Sequence, residues 1–383
     1  MTTLPWNPSR RRVNTTLAAA AMTAGAAATM LVAPSPAAAA RVVFLNADAV
    51  VINADNGQDP TLNSYSTTGF TAGPISGWPA LTDDDKRELV YLMKEATVPF
   101  DITYTWERPA AGSYDMIVMG TAADNAALFG GVGCSGAIGL ADCDDGNAEN
   151  VSFLFYGCMD AEDQDNLHSV AHTIFAALGF GWGLENTSVG GQIMGSFFDN
   201  GGSVQFGASC TDISGAANCT EHPGCAVGLQ NASTDLLGRL GARVDDGMPT
   251  LLITEPVNLT VVDSTFTVQA EAEDGFGGLT VELLIVEADV TEQDEEPPYS
   301  WTLADVPDGE WTLQVTVTDA DANVHTEQVT VCVGTETCPD AGLSDTGGSS
   351  TGALDDTGSG DEDASSTGDA AATSTSSSGG DDG

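Results

Sequence analysis

The order of apolar and polar positions predicts a mixed α/β region followed by an all-β region. In the first region an amphipathic helix begins at Thr82, and acidic residues occupy its first turn, where the positive end of the helix dipole favours them. A longer helix is predicted over residues 164–178, and a last short helix over residues 233–240, closed by Gly241. Strands are predicted over residues 42–45, 100–106, 114–119 and 151–156.

From Pro249 onward the pattern changes to short strands that alternate apolar and polar residues, with turn residues between them. Such a series favours a β-sandwich, because each strand has one face to bury and one face in water. The predicted strands cover residues 265–273, 279–286, 297–301, 311–317 and 325–333.

The two ends of the chain differ from both regions. An arginine cluster, an alanine-rich apolar run and an A-x-A site ending at Ala40 predict an export signal, with a mature start near Arg41. The general secretory route and the twin-arginine route both stay open. No later run is long and apolar enough to span a bilayer. After Cys338 the chain consists mainly of Ser, Thr, Gly, Asp and Ala with almost nothing to bury, so residues 336–383 are predicted to form a disordered surface tail.

These shifts in composition divide the chain into four parts: a signal peptide (1–40), a mixed domain (41–246), an all-β domain (247–335) and the tail (336–383). The formal net charge is −46, from 10 Lys and Arg against 56 Asp and Glu. So acidic a surface repels phosphate backbones and anionic lipids, which excludes nucleic acid as a partner class. An extracellular or cell-surface location follows from the signal, with the periplasm as an alternative.

Eight cysteines in an exported chain indicate disulfides, because export leads to an oxidising environment and no Cys-x-x-Cys pair is present. Spacing along the chain predicts two local bridges, Cys134–Cys143 and Cys332–Cys338. The remaining four form two further bridges whose pairing the sequence leaves open: Cys158, Cys210, Cys219 and Cys225.

One stretch, residues 168–196 (HSVAHTIFAALGFGWGLENTSVGGQIMGS), predicts a helix, a glycine exit, a short loop and a methionine turn. Its spacing resembles the metzincin zinc-protease motif H-E-x-x-H-x-x-G-x-x-H with a downstream Met turn, closest to the matrixin-like secreted proteins of bacteria. Gly183 takes the turn glycine and Met194 the Met turn. The order strand, helix, three strands, site helix extends the resemblance over roughly residues 41–245. It implies an α+β fold with a twisted mixed sheet and an active-site helix.

The chemistry of that motif is missing from this chain. Ala176 stands at the first histidine, Ala177 at the glutamate, Phe180 at the second histidine and Asn186 at the third. Catalytic zinc needs three protein ligands and a water that a general base can reach. The resemblance therefore implies a catalytically inactive protein, and we assign no catalytic, cofactor-binding or metal-binding residue.

A second register of the same motif places its first ligand at His172 and its glycine at Gly179. Thr173 then replaces the glutamate, Ala176 the second histidine and Trp182 the third. This register also loses the spacing to the Met turn. Both registers predict no ordinary zinc hydrolysis.

His168 and His172 lie four residues apart on the predicted helix, a spacing that can chelate a metal. No third ligand is visible nearby in the sequence, although His222 or an acidic side chain could arrive through folding. The alternative reading is a pair of half-exposed helix histidines.

Two acidic segments offer hard oxygen donors for calcium, residues 142–150 and the run Asp319, Asp321, Asn323. The spacing within residues 142–150 is not that of an EF-hand. A solvated loop and a hairpin turn are the readings that need no ion. The second segment follows residues 307–313, and together they resemble the late strands of bacterial Ig-like domains.

Three functional hypotheses remain from the sequence. The first is a catalytically inactive metzincin-like protein that binds a protein or peptide in the former cleft. The second is an active secreted zinc metallopeptidase with a non-standard site built on His168 and His172. The third is a surface adhesion protein whose working part is the Ig-like domain.

Overall fold

The computed structural model describes residues 3–5, 40–54, 57–130, 133–195, 205–214, 219, 222–245, 247–294, 296–334 and 337–338. Most of the predicted export signal and nearly all of the predicted tail lie outside these residues. The helices are α1 (Asp83–Ala96), α2 (Ala122–Phe129), α3 (Ala161–Gln164), α4 (Leu167–Gly181) and α5 (Ala232–Leu240).

The strands that precede residue 245 are β1 (Thr3–Pro5), β2 (Arg41–Asn46), β3 (Val50–Ile52), β4 (Gly73–Ile75), β5 (Ile102–Thr105), β6 (Asp115–Gly120), β7 (Ala137–Ile138), β8 (Val151–Phe155), β9 (Thr211–Asp212) and β10 (Leu229–Gln230). The later strands are β11 (Thr250–Glu255), β12 (Thr260–Val262), β13 (Phe266–Glu273), β14 (Thr280–Ile285), β15 (Val290–Asp294), β16 (Tyr299–Ala304), β17 (Gly309–Thr318) and β18 (Val324–Val333).

A five-stranded mixed sheet organises the first region, in the order β5-β2-β6-β8-β7. Strands β5, β2, β6 and β8 are parallel, and β7 is the antiparallel edge strand beside β8. One face packs on α1, α4 and α5 through residues such as Leu154, Leu89 and Ile174. The opposite face holds a second apolar cluster that includes Phe153 and Phe155. Successive β8 side chains therefore enter opposite cores, as strand geometry requires.

Two sheets make up the later region, one ordered β1-β16-β13-β11 and the other β12-β18-β17-β14-β15. Their inner faces share one apolar cluster, so the predicted β-sandwich is confirmed. Strand β17 has the alternating burial that its sequence predicts, with Leu313, Val315 and Val317 buried. The sequence did not predict β11, β12 or β15.

The sandwich contacts the first region at the end of α1. Lys94 Nζ donates to the Asp274 carbonyl oxygen at 2.7 Å, and the Gly278 amide donates to Glu95 Oε1 at 2.6 Å. Burial raises the pKa of Glu95. Arg243 adds an ion pair with Asp321, with Nη2 2.6 Å from Oδ2. The two regions are thus joined by polar contacts as well as by the chain.

Side-chain caps set the helix boundaries. Helix α1 begins after Thr82 and Gly241 ends α5, as predicted; the reciprocal capping box between Thr82 and Asp85 was not predicted. The predicted helix 164–178 corresponds to two helices in the structure, the end of α3 and most of α4, and α4 continues past residue 178. Asn166 Oδ1 accepts the His168 and Ser169 amides and so starts a new helix. Helix α2 and the β3–β4 hairpin were not predicted.

The structure contains four disulfides: Cys134–Cys158, Cys143–Cys219, Cys210–Cys225 and Cys332–Cys338. The prediction for Cys332–Cys338 is confirmed, and that for Cys134–Cys143 is wrong. Strand β7 lies between Cys134 and Cys143, and its antiparallel pairing brings the start of β7 to the end of β8. Cys134 therefore meets Cys158, while the chain after β7 continues toward Cys219. Among the described residues, no helix is long and apolar enough to cross a membrane.

Candidate functional site

The chain leaves α4 through a glycine turn, as the sequence predicts. Helix α4 ends at Gly181, Trp182 caps it, and Gly183 turns the chain with φ +74°, in the left-handed region that favours glycine. A Cβ at Gly183 would collide with the Arg239 guanidinium and lie 2.7 Å from the Asp142 carbonyl oxygen. Position 183 therefore requires glycine both for its conformation and for space.

Met194 lies directly against α4. Its side chain is fully buried, its φ is +69°, and a Cβ at Gly179 would collide with its sulfur. The Thr187 amide donates to the Met194 carbonyl oxygen at 2.6 Å, which closes the loop between the helix exit and this turn. The glycine two residues before the end of α4 thus leaves the space that the buried Met194 side chain fills.

The four positions that align with the three zinc ligands and the catalytic glutamate of the motif carry no strong metal-binding side chain. Ala177 is buried, while Ala176 and Phe180 are half-buried, and Phe180 packs against the core. Asn186 is exposed, and its backbone carbonyl accepts the Ser214 amide at 2.7 Å. An exposed amide oxygen is the one side-chain ligand these positions offer, and it is a weak ligand for zinc.

The second register does not agree with the backbone. Gly179 lies inside α4 and not at a turn, so it cannot redirect the chain. Thr173 Oγ1 donates to the Ser169 carbonyl oxygen at 2.7 Å, and Trp182 is fully buried. Gly183, and not Gly179, is therefore the glycine that turns the chain after α4.

The two helix histidines are placed differently. His172 is buried, and its Nε2 lies 2.9 Å from the Gln192 carbonyl oxygen. Burial lowers the pKa of His172, and the contact with Gln192 opposes that shift. His168 is half-buried. Among the described residues, no group of three or more His, Cys, Asp or Glu side chains is arranged to hold a metal, so no third ligand joins this pair.

The carboxylate oxygens of the acidic loop 142–150, which could have bound calcium, accept hydrogen bonds from protein groups instead. Arg41 Nη2 donates to Asp145 Oδ1 at 3.1 Å, and the Asn147 amide donates to Asp142 Oδ2 at 2.8 Å. Glu149 Oε1 accepts Ser113 Oγ at 3.0 Å. These carboxylates are therefore engaged by Arg41, by Ser113 and by one amide of the loop itself, an arrangement that needs no calcium.

The segment 319–323 is a turn closed by its own side chains. Asp319 Oδ1 accepts the Asp321 and Asn323 amides, at 2.9 and 2.8 Å, and Asp319 Oδ2 accepts Asn323 Nδ2. Asp and Asn favour such turns without any ion. The hairpin-turn interpretation accounts for all three residues.

A buried ion pair between β2 and β6 also contacts the residue that caps α4. Arg41 Nε donates to Asp115 Oδ2 at 2.8 Å, and the Trp182 indole Nε1 donates to the same oxygen at 2.8 Å. Asp115 Oδ1 accepts the Asn150 amide at 3.0 Å. The Asp115 side chain is fully buried. Sequence reasoning missed this residue; the signal that could have found it is an aspartate at the start of a buried, otherwise apolar strand.

The Asp145 carboxyl next to this pair has an unusual pKa. Burial raises the pKa of Asp145 to about 6, although Arg41 opposes the shift. Because this value lies above that of an unfolded aspartate, about 3.9, protonated Asp145 stabilises the fold at low pH. That contribution is complete below about pH 4 and is lost as the pH rises through about 6.

We therefore expect the stability difference between the native chain and Asp145→Asn to depend on pH. The native chain should lose about 1–3 kcal/mol relative to the variant between pH 4 and pH 7. Urea unfolding at a series of pH values measures this difference. The matched control is Asp144→Asn, which removes an exposed carboxylate from the same loop. A pH dependence for Asp145→Asn that is no larger than that for Asp144→Asn would contradict the prediction.

A second buried polar network holds the chain just after the helix exit. Gln230 brackets Glu185: its Oε1 accepts the Glu185 amide at 2.7 Å, and its Nε2 donates to the Glu185 carbonyl oxygen at 3.0 Å. The Cys219 amide donates to Glu185 Oε1 at 2.9 Å. His222 Nδ1 lies 2.7 Å from Asp235 Oδ2. The sequence offered His222 only as a possible third ligand for the helix pair; folding places it here instead.

A cavity of about 580 Å³ opens beside this network. Its walls combine disulfide sulfur, an imidazole, a guanidinium and a carboxylate. The lining residues are Cys143, Asp144, His222, Pro223, Cys225, Val227 and Arg239.

Comparisons with known proteins give no family. No family model matches the sequence, and no curated protein matches it. Fibronectin(III)-like modules of Clostridium thermocellum CbhA match at TM-score 0.21 and 17% identity, over 22% of this chain and 94% of theirs. The endo-beta-1,4-mannanase of Thermotoga petrophila matches at TM-score 0.19 and 16% identity, over 28% of this chain and 26% of its own.

A third structure is a catalytically inactive OgpA from Akkermansia muciniphila in complex with an O-glycopeptide. It matches at TM-score 0.18 and 11% identity, over 58% of this chain and 65% of its own. This chain thus spans less than two thirds of OgpA and about a quarter of the mannanase. Scores this low define no fold relationship.

Proposed function

We propose that this chain is an exported, catalytically inactive metzincin-like protein that acts by binding a protein or peptide. One observation carries the proposal: a glycine-terminated site helix rests on a buried methionine turn, and the positions of the zinc ligands and base hold Ala176, Ala177, Phe180 and Asn186. The mixed sheet with one antiparallel edge strand above α4 supports the same proposal.

The loss of catalysis follows from donor atoms. Alanine and phenylalanine have no lone pair, so the two helix positions give a zinc ion nothing to bind. Without Glu at position 177 there is no base to accept a proton from a bound water. Phe180 fills space with an apolar ring where the motif requires an imidazole. The surface that remains is suited to contact, not to hydrolysis.

Composition and covalent structure support an extracellular binding protein. Four disulfides suit an oxidising compartment. The net charge of −46 disfavours nucleic acid and anionic lipid and leaves proteins, peptides and neutral ligands as partner classes. The Ig-like sandwich offers a second surface of the same kind, so the binding site lies in the former cleft or on the sandwich.

We expect the purified, folded protein to contain far less than one zinc per chain after dialysis against zinc and then against metal-free buffer. Elemental analysis measures the zinc content, and a mixed fluorogenic peptide library measures peptidase activity with and without a chelator. Stoichiometric zinc together with chelator-sensitive cleavage would require an active enzyme and would end the proposal.

Peptide selection on the full-length chain separates the two surfaces. Phage-displayed random peptides serve as the probe, and the selected peptides are tested against Phe180→Ala and against Val324→Ala, which alters an exposed sandwich residue. Loss of binding in Phe180→Ala alone supports the former cleft. Loss in Val324→Ala alone assigns binding to the sandwich, and equal binding to both variants argues against the cleft.

A further inference from the structure

Two neighbouring strands of the sandwich carry the same short motif on their outer side. The motif is Thr-x-Gln-Val-Thr, and it occurs at residues 312–316 in β17 and at residues 326–330 in β18. Leu313 and Val315 point into the core, so the threonines and glutamines of the motif lie on the outer face. The antiparallel register places like residues opposite each other: Thr312 with Thr330, Gln314 with Gln328 and Thr316 with Thr326. We call these six residues the Thr/Gln face.

The positions around the Thr/Gln face are also mostly uncharged. On β14 and β15 the outward residues beside it include Thr280, Thr291 and Gln293. The carboxylates at outward positions are Glu282 and Glu310. No outward position of the five strands in this sheet is Lys, Arg, Met or aromatic. In a chain with 56 Asp and Glu against 10 Lys and Arg, this is a nearly neutral surface.

Hydrogen bonds hold the central side chains of the Thr/Gln face in place. Gln328 Nε2 donates to Gln314 Oε1 at 2.6 Å, and the hydroxyls of Thr316 and Thr326 lie 3.1 Å apart. Gln314 Nε2 also donates to Thr316 Oγ1 at 3.5 Å. Hydroxyl and amide groups have donor and acceptor sites beyond these bonds, so capacity for a ligand remains. Because the side chains are already ordered, a ligand does not have to immobilise them.

The chemistry of this face selects a class of ligand. The core of a protein–protein interface is enriched in aromatic, methionine and arginine side chains, and this face has none of them. The net charge of −46 repels anions. What the face offers is groups that both donate and accept hydrogen bonds, in rows about 4.8 Å apart from strand to strand. Strand propensity accounts for threonine at such positions, but not for the facing glutamines or for the shortage of charged residues.

We propose that the Thr/Gln face binds a neutral polysaccharide chain laid across β17 and β18. Sugar hydroxyls also donate and accept hydrogen bonds, so they pair with threonine hydroxyls and glutamine amides without burying a charge. One such bond contributes little, because each partner gives up a bond to water. Several bonds are needed at once, and a polymer is therefore preferred over a short oligosaccharide. This inference goes beyond the binding proposed for the former cleft and does not depend on it.

Affinity electrophoresis of the full-length chain tests the binding. Each native gel contains one neutral polysaccharide, either hydroxyethylcellulose, galactomannan or arabinoxylan, and at least one of them should retard the chain. The anionic polysaccharides alginate and polygalacturonate should not retard it, because their charge has the same sign as that of the protein. Absence of retardation by all of the neutral polymers, or equal retardation by the anionic ones, would overturn the proposal.

Matched variants locate the binding. Thr316→Val with Thr326→Val keeps the branched shape and the strand propensity but removes both hydroxyls, so the dissociation constant should rise by about tenfold. The control, Thr267→Val with Thr302→Val, changes a facing pair on the outer face of the other sheet, where the hydroxyls lie 3.5 Å apart. It should leave the dissociation constant unchanged. Circular dichroism verifies that the variants are folded, and equal weakening by the two valine variants would contradict the proposal.

Two further variants separate the loss of hydrogen bonds from a change in shape. Thr316→Ser with Thr326→Ser retains the hydroxyls and should bind like the native chain. Gln328→Ala removes an amide from the same face and should weaken binding without any valine substitution. If the serine variant binds as weakly as the valine variant, or if Gln328→Ala binds like the native chain, the Thr/Gln face is not the binding site.

Discussion

The triple variant Ala176→His, Phe180→His, Asn186→His is expected to bind one zinc ion per chain with a Kd below about 1 µM, or more than about 8 kcal/mol of binding free energy. The native chain should show no such binding. The expectation rests on the proposed metzincin-like arrangement, in which Gly183 lies at the turn and Met194 lies beneath α4. Three imidazoles placed on that frame supply the ligand set that zinc requires.

Ala177 is left unchanged in this variant for two reasons. It is fully buried, so a glutamate there would place a carboxylate in the core. The missing base also separates binding from catalysis: the triple variant should hold zinc and remain inactive toward peptides. Competition with a chromophoric chelator measures the affinity, and circular dichroism verifies that the variant is folded.

The matched control carries Ala176→His and Phe180→His with Asn186→Ala, which leaves two helix ligands and no third. It should bind zinc at least a hundredfold more weakly than the triple variant. If both variants fold and bind zinc equally weakly, the three positions do not converge on one point. The metzincin-like proposal would then lose its main support.

Asp115→Ala is expected to lower the free energy of unfolding by about 3–5 kcal/mol, the largest loss from a single substitution that we predict. The carboxylate accepts hydrogen bonds from Arg41, Trp182 and the Asn150 amide. Its removal leaves the Arg41 guanidinium, 12% exposed, without its closest counter-charge and the buried indole N–H without an acceptor. Because the free energy of unfolding of a domain is only about 5–15 kcal/mol, this loss is a large part of the stability of the domain.

Urea unfolding followed by tryptophan fluorescence measures this loss. Asp84→Ala serves as the control, because Asp84 pairs with Arg87 on the exposed surface of α1, where an ion pair contributes about 0–1 kcal/mol. A loss below about 1 kcal/mol for Asp115→Ala would show that the Arg41 pair does not support the fold.

Much of the framework could be predicted from the sequence because its signals are local. Capping residues such as Thr82 and the glycine after α5 defined two helices, and alternation defined most of the sandwich strands. The boundary of α4 was missed because one side chain, Asn166, capped the helix at a point where propensity alone favoured continuation. Helix α2 has only eight residues, so its apolar positions do not repeat often enough to distinguish a helix from a loop.

The pairing of distant residues could not be predicted in the same way. The Cys134–Cys143 prediction relied on separation along the chain, whereas the antiparallel β7–β8 pair decided that Cys134 meets Cys158. Arg41 and Asp115 are 74 residues apart, and Trp182 and Asp115 are 67 apart. Nothing in a local pattern identifies such partners.

Residue types alone establish that no side-chain donor atom stands at positions 176, 177 and 180 and that a glycine able to turn the chain stands at 183. Side-chain chemistry is fixed by residue type, so no fold can restore a missing lone pair. Folding, in contrast, places Met194 under Gly179, brings Arg41 to Asp145 in the acidic loop and puts His222 between Asp235 and Glu185. Those contacts depend on how the sheet and helices pack, and packing joins residues that the sequence keeps far apart.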